Sequence, residues 1–182
     1  TRPRGAGAAA EAADAPAAPA SRGRFAGKVA WITGGARGQG RSHAERLAAE
    51  GADVIISDSL TPVATLDYPL ATQADLDHTA DLVRAKGGRV LALKSDVRDP
   101  VQTADVVRRG VAAFGKIDLL VANAGIYSAG ATETLGDALF NDILQTNLYG
   151  VFHSIRAVLP GMRERRFGRI VATASVAGRS GL

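Results

Sequence analysis

Short runs of β-forming apolar residues alternate with stretches whose apolar positions fall at helical spacing, starting at Gly27. The first run, Lys28-Val29-Ala30-Trp31-Ile32, precedes Arg41 to Glu50, where Ala44, Leu47 and Ala48 keep helical spacing and Gly51 stops the helix. Val54-Ile55-Ile56-Ser57 predicts a second strand. A helix from about Gln73 to Lys86 follows, with Thr72 and Asp75 as its N-cap pair and Gly87-Gly88 as its end. The third strand is Arg89-Val90-Leu91-Ala92-Leu93. Asp99-Pro100 then opens a helix, Asp capping and Pro in the first helical position, that closes at Gly115. Ile117-Asp118-Leu119-Leu120-Val121 predicts strand four, Asp137 to Met162 a long helix with Pro160 near its end, and Arg169-Ile170-Val171-Ala172-Thr173 strand five. Such alternation predicts an α/β fold, a parallel sheet joined by crossover helices, with no shorter internal repeat.

Two stretches break the pattern. Ser59 to Ala71, with Pro62 and Pro69, is longer than most connections and reads either as a functional flap or as a tolerated surface insertion. Residues 1–24 are an Ala/Pro/Arg-rich stretch without a large apolar side chain, and so read as a disordered extension. They lack the apolar core of a signal peptide, and Glu11 and Asp14 weigh against a targeting role. The sequence opens on Thr1 rather than Met, so its start is expected to be processed or partial.

Bulk properties narrow the picture. At 182 residues and 46% hydrophobic the chain supports one domain, residues 25–182, and no apolar run is long enough to span a bilayer. The absence of cysteine removes disulfides and thiolate metal sites and suits a cytoplasmic protein. The formal charge of +4 is shared between the tail and Arg163, Arg165, Arg166 and Arg169, with no interleaved aromatic platform. It reads as solubility rather than as a nucleic-acid footprint. His43, His78 and His153 have no companion ligand at coordinating spacing, so no metal site is expected; His43 reads as a first-turn helix residue packing near the glycine turn.

That turn, Thr33-Gly34-Gly35-Ala36-Arg37-Gly38-Gln39-Gly40, lies between the first strand and the first helix. Glycines there let backbone N–H groups and the positive end of a helix dipole meet a phosphate. Asp58 closes the second strand, where a carboxylate can take the hydroxyls of an adenosine ribose. Together they read as a dinucleotide site. Arg37 could instead attract the extra phosphate of NADP. Like charges about 4 Å apart repel by roughly 4 kcal/mol at an effective dielectric near 20, so Asp58 beside a 2′-phosphate would be costly. Arg37 can turn away into solvent, and NAD is the expected cofactor.

These residues resemble the short-chain dehydrogenase/reductase family over about Gly27 to Leu182. Thr33, Gly34, Gly38 and Gly40 meet its Thr-Gly-x-x-x-Gly-x-Gly pattern. Asp96-Val97 resembles its adenine-contacting pair, and Ala122-Asn123-Ala124-Gly125 its Asn-Asn-Ala-Gly element with the first Asn replaced. Asn147 is similar to its helix asparagine, and Thr173-Ala174-Ser175 to the segment ending in its substrate-orienting serine. The resemblance implies a Rossmann-type doubly wound parallel sheet and hydride transfer between NAD and a secondary alcohol or ketone. In that scheme Ser175 orients the substrate oxygen and Asn147 anchors a proton path. The loop and Gly38-Gln39-Gly40-Arg41-Ser42-His43-Ala44 resemble the mycofactocin-linked, carveol dehydrogenase-like subgroup. That likeness implies a tightly held nicotinamide cofactor, an external redox carrier and a hydrophobic, terpenoid-like substrate. For the full-length form it implies a homodimer or homotetramer.

The family's Tyr-x-x-x-Lys pair is not found before Leu182: Tyr68, Tyr127 and Tyr149 are followed in that register by Thr72, Ala131 and His153. The sheet is therefore expected to be incomplete on its C-terminal side, with strand five as a bare edge. Leu139, Ile143, Leu144, Leu148, Val151, Phe152 and Ile155 are expected to be only partly covered. Taken alone, the 182 residues are expected to be marginal or aggregation-prone and inactive. The alternative is a non-catalytic NAD-binding remnant or sensor.

Overall fold

The computed structural model describes residues 23–178; most of the extension expected at 1–24 lies outside them. Five parallel strands form one sheet in the order β3-β2-β1-β4-β5. They are β1 (Val29–Thr33), β2 (Asp53–Asp58), β3 (Val90–Lys94), β4 (Leu119–Ala122) and β5 (Arg169–Ala172). The helices are α1 (Gly38–Ala49), α2 (Gln73–Ala85), α3 (Pro100–Phe114), α4 (Asp137–Leu144) and α5 (Gly150–Glu164).

The period-two geometry of a strand sends alternate side chains to opposite faces, and both faces here are covered. Ala30 and Ile32 of β1, with Val54 and Ile56 of β2, pack beneath α1 and α2 through Ala44, Ala48, Leu76, Ala80 and Val83. Val29, Trp31, Ile55 and Leu120 pack on the other face against Val106 of α3 and Val158 and Met162 of α5. Trp31 is fully buried, and its indole N–H donates to Ser57 Oγ at 2.9 Å, so the largest core side chain keeps its one polar group satisfied.

Sequence order runs outward from β1 to β3 on one side and from β4 to β5 on the other. The strand order thus reverses between β1 and β4, and a crevice opens above their carboxyl ends.

Local signals fix most helix ends. Thr72 and Asp75 form a reciprocal capping box on α2. Asp99 accepts from Val101 N at 2.8 Å at the start of α3, and Gly115, with φ of 81°, ends it. Two expectations need correction. The first helix starts at Gly38 rather than Arg41, because Arg41 N already donates to Arg37 O at 3.3 Å and so closes the first helical turn over the last residues of the glycine turn. The long helix from Asp137 is not uniformly α: a π turn, Gln145–Tyr149, separates α4 from α5. Such a turn inserts an extra residue and re-aims the side chains within it.

Beside β4, the edge strand β5 is exposed at all four residues. Along the α4–α5 helix Leu148 and Phe152 are 61% and 52% exposed, and none of the seven apolar positions singled out there is fully buried.

Candidate functional site

The crevice is joined across its floor by Thr33 and Asn123. Thr33 Oγ1 accepts from Asn123 N and Ala124 N, both at 3.0 Å, and Asn123 Nδ2 donates to Thr33 O and Gly34 O at 3.1 and 3.2 Å. These bonds hold the glycine turn against the loop after β4. Two glycines are dictated by that approach. Gly34 has φ of 64°, and a Cβ on it would lie 2.8 Å from Ala124 Cα. A Cβ on Gly40 would lie 2.0 Å from Gly34 O. Gly38 faces open space, and α1 begins there with no side-chain cap. Its first N–H groups are the kind that anions satisfy.

Asp58 stands beside the turn at the end of β2. Its Oδ2 accepts from Ala36 N at 3.1 Å and its Oδ1 from Ser59 N at 2.9 Å. Burial pushes its carboxyl above the usual aspartate range, opposed by those two N–H groups and by the charge of Arg37. Arg37 itself is exposed, and its Nη2 donates to Pro69 O at 2.7 Å. Behind the turn, Ala36 O accepts from Arg41 Nη2 and Thr79 Oγ1, both at 2.8 Å. Helical spacing on α1 and α2 gave no sign of this support, because it joins two different helices to one carbonyl.

Asp96 and Val97 follow β3 on the far side of Asp58, and Ser95 N donates to Asp58 O at 2.8 Å. Both carboxylate oxygens of Asp96 are engaged by Arg98, with Nη2 to Oδ2 at 2.7 Å. His153 Nδ1 lies 3.1 Å from Val97 O, which sets the α5 face against this loop. Asn147 lies in the π turn. Its Oδ1 accepts from Ile126 N at 2.9 Å and its Nδ2 donates to Ile126 O at 2.8 Å. The residue is exposed as a whole, so the mid-helix amide has a buried partner without being buried itself. Thr173 N donates to Ala122 O at 3.0 Å, and Thr173 Oγ1 reaches Asn123 Oδ1 at 3.4 Å. Ser175 is exposed, its Oγ accepting from Ala177 N at 3.2 Å.

These elements enclose a cleft of about 320 Å³, within the range of small-molecule sites (roughly 300–1,000 Å³). Of the residues assigned to the cofactor, all but Thr33 and Gly40 line it: Gly34, Arg37, Gly38, Gln39, Asp58, Asp96, Val97, Asn123, Ala124, Gly125 and Thr173. Thr33 and Gly40 are buried just behind its wall. Asn147 and Ser175 do not line it. Val63, Leu70 and Ala71, from the long loop after β2, do. Loop length was their only signal in the sequence; Arg98 and Thr146, also in the wall, had none. A glycine cradle that Cβ atoms would fill, an uncapped helix start and a carboxylate beside them together fit a dinucleotide. Among the described residues no cluster of three or more His, Asp or Glu is placed to hold a metal ion, and no helix is long and apolar enough to cross a membrane.

The family model for short chain dehydrogenases matches residues 28–182. An uncharacterized oxidoreductase of Mycobacterium tuberculosis (strain CDC 1551 / Oshkosh) is 43% identical over 157 residues, which are 86% of this chain and 56% of that protein. The (-)-trans-carveol dehydrogenase of Rhodococcus erythropolis is 42% identical over 160 residues, covering 87% and 58%. Among solved structures, carveol dehydrogenase from Mycobacterium avium in complex with NAD superposes with a TM-score of 0.84 at 45% identity, covering 88% of this chain and 58% of that one. The chain thus spans a little under three fifths of the relatives it matches.

Proposed function

The chain belongs to the short-chain dehydrogenase family, and from that premise we propose that the whole protein is an NAD-dependent oxidoreductase acting on a secondary alcohol or ketone. The observation that carries the cofactor is Asp58: a partly buried carboxylate at the end of β2, hydrogen-bonded to the glycine turn through Ala36 N. It suits the two hydroxyls of an adenosine ribose and disfavours a 2′-phosphate. The NAD bound to the Mycobacterium avium relative supports the same reading.

In this reading the turn residues Gly34, Gly38, Gln39 and Gly40, with the start of α1, hold the diphosphate, and Asp96 and Val97 face the adenine. Asn123, Ala124, Gly125 and Thr173 line the nicotinamide half. Bound NAD supplies the hydride acceptor for alcohol oxidation. Ser175 orients the substrate oxygen by hydrogen bonding, and Asn147, locked to Ile126, fixes the start of a proton path. The substrate is a hydrophobic secondary alcohol of terpenoid type, a class supported by the carveol dehydrogenase of Rhodococcus erythropolis. An external carrier of mycofactocin type takes the electrons, a proposal that rests on the similarity of the loop and turn. The exposed Phe152 and Leu159 on α5 support assembly as a homodimer or homotetramer.

The test is fluorescence titration with NADH and NADPH, followed by alcohol oxidation in the full-length protein. The expected outcome is binding of NADH in preference to NADPH, with affinity lost in Asp58→Ala, and turnover lost in Ser175→Ala. Equal affinity for NADPH would overturn the assignment of Asp58. Binding without turnover of any secondary alcohol would favour a nucleotide sensor.

A further inference from the structure

Hydrogen bonds to three different regions hold the segment Ser59–Ala71. Arg37 of the glycine turn donates to Pro69 O at 2.7 Å, Tyr68 Oη accepts from Tyr127 N at 2.9 Å, and Thr65 Oγ1 donates to Asp142 Oδ2 of α4 at 2.7 Å. Because Val63, Leu70 and Ala71 line the cleft, this segment is a wall of the site and not a detached surface insertion.

The third tether continues inward. Asp142 Oδ1 accepts from Arg98 Nη1 at 3.1 Å, while Nε and Nη2 of the same guanidinium hold both oxygens of Asp96. One planar fork therefore serves two carboxylates from different elements. The side chains of Arg98, Asp96 and Asp142 are 28%, 21% and 26% exposed, so they are screened only in part. Without Arg98 the Asp96 carboxylate on the cleft wall and the Asp142 carboxylate behind it would lose the cation they share. A lysine cannot reproduce the arrangement, since a single ammonium lacks the fixed fork that reaches both partners.

We propose that Arg98 is the positioning residue of the adenine end: it fixes the Asp96 carboxylate and, through Asp142 and Thr65, seats Ser59–Ala71 against the bound dinucleotide. The inference rests on the NAD reading above, and it adds a coupling between adenine recognition and seating of the loop. Loosening any member of the line Thr65–Asp142–Arg98 removes one of the loop's three tethers and hastens cofactor release. Association, which depends on encounter with the open cleft, changes little.

The test is stopped-flow NADH fluorescence on the full chain and its variants Thr65→Val, Thr65→Ser, Asp142→Asn and Arg98→Lys, with Thr65→Val also combined with Arg98→Lys. Each apo protein is first checked for an unchanged thermal melt. Thr65→Val and Asp142→Asn are expected to speed NADH dissociation by about three- to tenfold, the size of a partly exposed hydrogen bond to a charged group. Thr65→Ser keeps the hydroxyl and restores the original rate. The double variant dissociates no faster than Arg98→Lys alone, because both changes break one line. Effects that multiply instead, or a single dissociation rate across all variants, would overturn the inference and leave the NAD reading standing. A chain that binds no NADH in any form would overturn the NAD reading, and this inference with it.

Discussion

Asp58 and Gly40 carry opposite kinds of constraint. Gly40 is fixed by space: the atom that a Cβ would meet is a backbone oxygen, which cannot rotate away. Asp58 is fixed by charge, and its carboxyl is raised by burial more than its N–H partners and Arg37 lower it. In the proposed role its ionised form is the one that accepts from ribose hydroxyls. As pH falls, NADH affinity is therefore expected to weaken while ordinary aspartates are still ionised. The same raised value sets the sign for stability: the contribution of this group is full below its unfolded-state pKa and is lost as pH rises through the folded-state one. NADH titrations across the acid range check the first statement, and an affinity that stays flat until ordinary aspartates protonate would contradict it. The turn and Asp58 were legible because each is a local pattern. The line from Arg98 to Asp142 was not, because it joins residues 44 apart that only the fold brings together.

Capping chemistry made the helices readable, and side-chain chemistry with distant backbone hid the exception. Thr72, Asp75 and Asp99 marked their helix starts because those side chains act on neighbouring N–H groups, and Pro100 because its fixed φ and missing N–H suit the first helical position. Hydrogen bonds hold the carboxyls of Asp75 and Asp99 below the usual range: to Thr72 for Asp75, to Gln102 and then Val101 N for Asp99. Their contribution is present above the unfolded-state value and lost as pH falls, opposite in sign to Asp58. The π turn left no trace in the pattern, since helical spacing holds on either side of it. Its structural partner is Ile126, reached by Asn147 across 21 residues. Asn147→Leu would leave both backbone groups of buried Ile126 unpaired, at an expected cost of about 2 kcal/mol in denaturant unfolding. A cost near zero would show that water replaces the amide.

At the scale of the whole molecule, the cleft is assembled from both halves of the sheet. NADH spanning it is expected to raise stability by about 2.7 kcal/mol at a concentration one hundred times Kd, read as a shift in the thermal midpoint. No shift would mean that the cleft does not hold the dinucleotide. The strand–helix alternation gave the sheet and its parallel sense. It did not reveal that the loop after β2 forms part of the site's wall, because a loop has no periodicity to read.

The bonds from Asn123 to Thr33 cross 90 residues, and that separation orders events during synthesis. As the chain leaves the ribosome, β1, β2 and β3 can pair in sequence order, since each is the neighbour of the one before. The opposite wall of the crevice does not exist until β4 and the loop behind it have emerged. At about 5–20 residues per second, several seconds separate the glycine turn from the residues that complete it. Throughout that interval the nascent chain carries the glycine turn with no second wall, so under the proposed function cofactor capture is a late event that reports closure of the sheet.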